Sequence, residues 1–265
     1  MLAFRMGMSE KPKPCVTKED IKAGLVSLGL RSGDSVGVHS SLSSFGFVER
    51  PDAVIDALLE VVGRDGNIVM STHSTNLSED MRTPELIAMG VSWLCKILPY
   101  DPLRTPVRTG LIPEVFRKRE GVVRGSHPSN SVAALGPKAK VLSEGWHRLL
   151  ELDGYILFIG VGLESCTAMH LAEKRVRFPD RILKMITPPE WFVKKYPENE
   201  WEWDVGPYPD FARLTQPCFE RGIMKTVKVG NAPLKLVRLK DLIGLYVEYL
   251  EKDPDLFYAN VQTRS

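Results

Sequence analysis

Hydrophobic positions along this chain switch repeatedly between helical and strand spacing. Ile21, Leu25 and Leu28 recur at intervals of three and four behind a capping-box signature, Thr17-Lys-Glu-Asp20, and Gly29 closes the run. After a turn at Arg31-Ser-Gly-Asp34, residues 35–39 read as a short strand. A second helical pattern follows Pro51, where Val54, Leu58 and Val61 share a face with Ile55 and Val62. The stretch from Gly63 to Gly66 ends it, and Asn67-Ile-Val-Met-Ser-Thr72 reads as the next strand. Strand, helix and strand at this spacing predict two parallel strands joined right-handedly.

Residues 73–110 lack a clear period and carry polar turns and several prolines. A connection of that length inside an α/β domain is usually a substrate wall or lid. A short helix is expected from Ile112 to Arg119, then a turn through residues 121–128 into a strand at 131–135. The apolar run Tyr155-Ile-Leu-Phe-Ile-Gly-Val-Gly162 reads as a glycine-broken strand with a helix opening just past its end. Residues 178–235 are rich in proline and aromatic residues, and acids cluster at 198–204. A hairpin is expected around Gly230-Asn231, followed by a helix from Arg238 to Lys252 on which Leu239, Leu242, Ile243, Tyr246, Val247 and Leu250 are periodic. The reading is an α/β fold: a central mixed, largely parallel sheet, helices on both faces, and an irregular α+β C-terminal portion. Residues 1–16 are expected to be a loosely held tail, 17–253 one domain, and 254–265 a second tail.

Composition narrows the functions. The 265 residues, 43% hydrophobic, suffice for one large domain. With 35 basic and 33 acidic residues the net charge is +2, and no dense basic block suggests nucleic acid. No apolar run approaches the ~20 residues of a membrane span, and the first eight residues are too short and broken for a signal-peptide core. Cys15, Cys95, Cys166 and Cys218 are scattered, so reduced thiols in the cytoplasm are expected.

The chain has no phosphate-binding P-loop, no Gly-x-Ser-x-Gly elbow and no His-Glu-x-x-His, and Gly160-Val-Gly162 lacks the third glycine of a dinucleotide fingerprint. His39, His73, His127 and His170 each lie near a strand end, but their spacing is not that of a metal-ligand set, and no metal is expected. Cys166 lies close to His170, yet a packing role outweighs a Cys–His nucleophile pair. The pair with most chemical content is His170 and Glu173. Three residues apart, they share a helix face. A carboxylate beside an imidazole raises its basicity and fixes its tautomer. Their place beyond a strand's carboxyl end is where ligands bind in open α/β sheets. Together these features point to a general base.

Val38-His-Ser-Ser-Leu-Ser-Ser44, Gly66-Asn-Ile-Val-Met-Ser-Thr72, Thr105-Pro106, Ser126-His-Pro-Ser-Asn-Ser131, the 154–162 strand and Thr167-Ala-Met-His-Leu-Ala-Glu173 occur in this order. The set, spanning about residues 17–250, resembles the aminoglycoside N(3)-acetyltransferase family. The resemblance implies acetyl transfer from acetyl-CoA to an amine of an aminoglycoside-like acceptor containing 2-deoxystreptamine, with no nucleic-acid or membrane partner. It implies His170 as base with Glu173 as its partner. It places His39, Ser40, Ser41, Leu42, Ser43 and Ser44 near the coenzyme, and Thr72, Ser126, His127 and Ser131 at the same cleft. Glu198, Glu200, Glu202 and Asp204 either form a solvated acidic turn, as charge runs usually do, or meet a polycationic acceptor, with Trp201 and Trp203 between them to stack on sugar rings. The chain departs from the family in one respect: a Gly-x-x-Ser-Pro-Leu block expected between residues 137 and 153 is missing. That departure leaves open acylation of a non-antibiotic amine, or a non-catalytic binder of the same fold.

Overall fold

The computed structural model describes residues 15–74, 80–127 and 129–258. Its strands are Cys15–Val16 (β1), Ser35–Ser40 (β2), Phe47–Val48 (β3), Asn67–Ser71 (β4), Val91–Lys96 (β5), Val123–Arg124 (β6), Val132–Leu135 (β7), Tyr155–Ile159 (β8), Trp201–Val205 (β9), Met224–Val229 (β10) and Ala232–Arg238 (β11). Its helices are Lys18–Leu28 (α1), Asp52–Val62 (α2), Pro84–Ala88 (α3), Leu111–Phe116 (α4), Ala139–Leu142 (α5), Trp146–Glu151 (α6), His170–Glu173 (α7), Asp180–Ile186 (α8), Glu190–Lys195 (α9), Thr215–Glu220 (α10), Leu239–Lys252 (α11) and Asp255–Tyr258 (α12).

Local signals set several of these boundaries. The Thr17 hydroxyl accepts the Asp20 N–H while the Asp20 carboxylate accepts from Thr17, which is the expected capping box. Gly29 ends α1 in the left-handed region at φ 99°. The β10–β11 hairpin pairs Val229 with Ala232 across Gly230 and Asn231.

The main sheet runs β10-β11-β8-β2-β4-β7-β6. The sheet is mixed, as expected, but not largely parallel. Only β2 with β4 and β2 with β8 pair in parallel, while β11, β10, β7 and β6 add on antiparallel. The tight turn joining β10 to β11 makes those two strands antiparallel, whereas β8–β11 and β4–β7 are joined by long connections that leave either direction open.

Each inner strand is apolar on both faces, because both are covered. On one face Val36 and Val38 meet Ile21, Leu25, Leu28, Val54, Ile55 and Leu58 of α1 and α2. On the other, Ile156 and Phe158 meet Trp146, Leu149, Leu242 and Tyr246 of α6 and α11. A Cβ on Gly37 would lie 2.6 Å from Trp146 and 2.8 Å from Leu149, so this face admits α6 only over glycine. Thus the shortened 137–153 region is two short helices packed on the sheet.

The two segments read as irregular contain the largest departure from expectation. β5 lies within 73–110 and β9 within 178–235, and they pair antiparallel with Leu94 opposite Trp203. With α3 and α9 they enclose a separate small core of Leu86, Val91, Leu94 and Phe192. The pairing joins residues more than a hundred positions apart, so no local pattern announces it. Of the two expected tails only the inner ends fall among the described residues, and these are packed. Val16 is buried and β1 pairs with β3, while Phe257 and Tyr258 of α12 are 1% and 3% exposed.

Candidate active site

β2, β4 and β8 are parallel neighbours, so their carboxyl ends share one edge of the sheet. The serine-rich loop leaves β2 there as a tight turn over Leu42–Phe45. The Ser41 N–H donates to Ile159 O (2.9 Å), and the Ser44 hydroxyl donates to Ser41 O (2.6 Å). Gly160, at φ 66°, lets the loop lie directly on the end of β8; a Cβ there would collide with the Ser44 side chain. Ser40, Ser41, Leu42 and Ser44 are partly buried and Ser43 is exposed. The Ser40 hydroxyl oxygen is buried without a hydrogen-bond partner among the described residues.

From β8 the chain passes through Gly162 and two tight turns into α7. This helix is a single turn, His170–Glu173, shorter than the helix expected from Thr167 onward. The three-residue spacing nevertheless brings the pair together: the His170 Nδ1 lies 3.1 Å from both Glu173 oxygens. A carboxylate only accepts, so Nδ1 carries the proton and Nε2 is left with its lone pair. Phe211 packs edge-on against the ring at 5.0 Å. The side chain remains 40% exposed. Burial pulls the His170 pKa down, but the Glu173 hydrogen bond and the charges of Glu173 and Asp204 outweigh it, so the net shift is upward.

Asp204 belongs to β9, which brings part of the acidic cluster to this edge. Strand alternation divides the segment. Glu202 is 3.9 Å from His127, and Asp204 is close enough to raise the pKa of His170. Trp201 and Trp203 face the small core instead, against Tyr196 (5.1 Å) and Phe192 (5.2 Å), and the Trp203 N–H donates to Tyr196 O. The indoles are therefore structural rather than presented beside the carboxylates. Glu198 and Glu200 are exposed.

The remaining expected residues divide by burial. Thr72 and Ser131 are 0% and 2% exposed and bonded to each other, so they form the floor of the edge rather than its lining. Ser126 and His127 are exposed above them; Pro128 lies outside the described residues. His39 is buried rather than displayed by the loop, its ring 5.2 Å from Trp146 and 5.7 Å from Phe158. Cys166 is fully buried, and burial pushes its thiol up to about 12, so it is no nucleophile at neutral pH. Among the described residues, no three His, Cys, Asp or Glu side chains converge on a metal-binding arrangement.

Burial, with a contribution from His73, lowers the His39 pKa to about 3. A folded-state pKa below the unfolded value of about 6.5 gives stability that is complete above 6.5 and lost as pH falls toward 3. His73, held near 4 mainly by burial, acts in the same direction. His39→Phe keeps the ring stacking but removes this proton linkage. Urea denaturation should show wild type losing about 3 kcal/mol more than the variant between pH 6.5 and 4. Parallel stability curves would contradict this.

Two further contributors carry no signal in the sequence. Tyr246, on α11 and fully buried, donates its hydroxyl to Glu173 Oε1 at 3.3 Å. Its helical period marks it as a core position and says nothing of that bond. Arg124, on β6, is 8% exposed and donates to Thr105 O (2.6 Å), Pro102 O (3.3 Å), Ser74 Oγ (2.6 Å) and Thr72 O, with its guanidinium over the Tyr100 ring at 5.1 Å. A single arginine in a turn carries no such message in sequence.

The imidazole–carboxylate pair thus lies past the carboxyl end of β8, the strand on which the serine loop also rests, and within reach of the charge of Asp204 on β9. Residues 38–251 match the family model for aminoglycoside 3-N-acetyltransferases. The prophage-derived aminoglycoside N(3')-acetyltransferase-like protein YokD of Bacillus subtilis is 32% identical over 86% of this chain and 89% of its own. Aminoglycoside N(3)-acetyltransferase VIII of Streptomyces fradiae is 29% identical over 89% and 92%. The crystal structure of YokD superposes with a TM-score of 0.72 at 28% identity, covering 91% of this chain and 96% of that one. A structure described as AAC-VIa bound to sisomicin gives 0.68 at 27%, covering 90% and 98%. The chain belongs to the aminoglycoside 3-N-acetyltransferase family. It is an acyl-CoA-dependent N-acetyltransferase with acetyl-CoA as co-substrate. Among the described residues no helix is long and apolar enough to cross a membrane.

Proposed function

We propose that the enzyme acetylates an amino group of an aminoglycoside-like, 2-deoxystreptamine-containing acceptor, with His170 as the general base. The observation that carries this reading is the His170–Glu173 pair, on which the charge of Asp204 of β9 also acts. The sisomicin-bound relative supports the acceptor class.

An alkyl amine has a pKa near ~10 and only its neutral form attacks a thioester. Glu202 and Asp204 favour the cationic acceptor at the edge of the site. The amine nitrogen attacks the thioester carbonyl while His170 Nε2 takes its proton. Glu173 stabilises the imidazolium that forms. The C–S bond then breaks, the coenzyme leaves as a thiolate, and the imidazolium returns the proton to sulfur. The products are the acetamide and free coenzyme A. The 40–44 loop, fixed by Gly160, is the part of the edge that meets the coenzyme, since its hydroxyls and backbone N–H groups suit pyrophosphate. Ser126 and His127 border the same cleft.

Protonated His170 cannot act, and its carboxylate neighbours raise its pKa above the ordinary imidazole value. The acidic limb of kcat against pH therefore lies above about 6.5. Asp204→Asn should move that limb to lower pH and raise KM for a polycationic acceptor severalfold, with KM for acetyl-CoA unchanged. Free coenzyme A release, followed with sisomicin, other 2-deoxystreptamine aminoglycosides and simple alkyl amines, tests the assignment. A clear preference for a non-sugar amine, or no release with any amine, refutes it.

A further inference from the structure

Behind the His170–Glu173 pair lies a buried tyrosine that the acetyl-transfer chemistry does not itself require. Tyr246 is 0% exposed, sits in the middle of the longest described helix, and turns its hydroxyl away from solvent toward Glu173 Oε1. Phe211 fills the angle between them, 5.0 Å from the His170 ring and 5.4 Å from the Tyr246 ring. Phe257 of α12 closes the other side of Tyr246 at 4.8 Å, and α12 also brings Tyr258 beside the Tyr246 hydroxyl. A buried hydroxyl needs a partner, and this one meets the Glu173 carboxylate on one side and the Tyr258 hydroxyl on the other.

The geometry gives the bond a consequence. Glu173 stands on a helix of one turn and is partly exposed, so backbone rigidity alone does not hold its carboxylate. Its two oxygens are nevertheless equidistant from His170 Nδ1. A donor fixed in the core beneath one oxygen is what restrains rotation of that group. We propose that Tyr246 is a positioning residue for acetyl transfer: its hydroxyl, anchored by α11 and backed by Tyr258, fixes the Glu173 carboxylate against His170. Burial pushes the ionisation of both tyrosines above its ordinary range, so Tyr246 stays protonated and can only donate to the carboxylate.

The inference rests on the reading of His170 as base, and it specifies a sign. Hydrogen bonding from Tyr246 draws charge from Glu173. Removing it leaves the full charge of the carboxylate to the imidazole, whose pKa Glu173 already raises. The groups facing His170 are Glu173 on its own helix, Asp204 from β9 and Tyr208 from the segment after it. Tyr246 and Tyr258, from α11 and α12, reach it through Glu173. Loss of Asp204 lowers the acidic limb, whereas loss of the Tyr246 hydroxyl raises it.

The test is Tyr246→Phe in the full chain, assayed with acetyl-CoA and an aminoglycoside, beside His170→Ala and Glu173→Gln. Expected for Tyr246→Phe are a kcat lowered about tenfold, the weight of one hydrogen bond to a charged group, KM values within about twofold because the residue does not touch substrate, and an acidic limb raised by about 0.5 pH unit. In the Glu173→Gln background the same change should cost nothing further. A wild-type kcat and limb in Tyr246→Phe, with His170→Ala inactive, overturns the inference and leaves the base intact. An active His170→Ala overturns both. Should Tyr246→Phe fail to fold, Tyr258→Phe leaves α11 unaltered and should raise the limb by less; an unmoved limb there overturns the inference.

Discussion

His170→Ala is expected to lower kcat by about 10²- to 10⁴-fold, the usual contribution of a positioned general base, while the protein stays folded. The two halves of that result have separate causes. Truncation removes an imidazole whose Nε2 keeps its lone pair, Nδ1 being occupied by Glu173. The same truncation opens no cavity in the core, because the side chain is 40% exposed and its apolar contact is the edge of Phe211. Thermal melting should therefore move by only a few degrees, and KM for acetyl-CoA should hold, since the 40–44 loop is fixed by Ile159, Ser44 and Gly160 rather than by α7. Steady-state kinetics with calorimetric melting checks both. Turnover within about tenfold of wild type would remove His170 from the role of base.

Arg124→Met should have the largest effect on stability, about 3 kcal/mol. The guanidinium ties three stretches together: Thr72 and Ser74 beyond β4, Pro102 and Thr105 beyond β5, and its own strand β6. Methionine fills much of the volume but leaves the buried Thr105 carbonyl without its donor, at about 1–3 kcal/mol, and removes the bonds to Ser74 Oγ, Pro102 O and Thr72 O, the last of which keeps the Ser131 hydroxyl. Relief of a buried charge offsets part of that loss, since among the described residues Arg124 has no carboxylate partner. Arg124→Lys should recover little, because an ammonium cannot reproduce a planar fork that reaches two sides at once. At about 2–4 °C per kcal/mol for a chain of this size, melting should fall by roughly 6–12 °C. A fall of less than about 2 °C would show that other contacts already secure the floor of the site.

These two residues differ in how far the sequence exposes them. His170 and Glu173 are three positions apart on a helix, so their contact follows from local geometry once a helix is recognised. The same locality explains why the Thr17–Asp20 cap, the α2 face, the two-residue hairpin turn and the periodic α11 were all readable. Arg124 and Tyr246 act over 19 to 73 positions. Neither distance has a period, so each looked like an ordinary turn charge or core residue. The serine loop was legible as a loop, yet the burial of His39, Thr72 and Ser131 depended on α6 and on the antiparallel addition of β7.

Sequence by itself determined the α/β class, the parallel β2–β4 unit, the family blocks and the His170–Glu173 contact, because each rests on spacings shorter than a helix or a hairpin. Tertiary structure alone decided the antiparallel flanks of the sheet, the β5–β9 lobe and the division of its acids from its indoles. It also decided the donor beneath Glu173. These depend on which distant surfaces meet, and that is settled by packing two faces of one sheet at once.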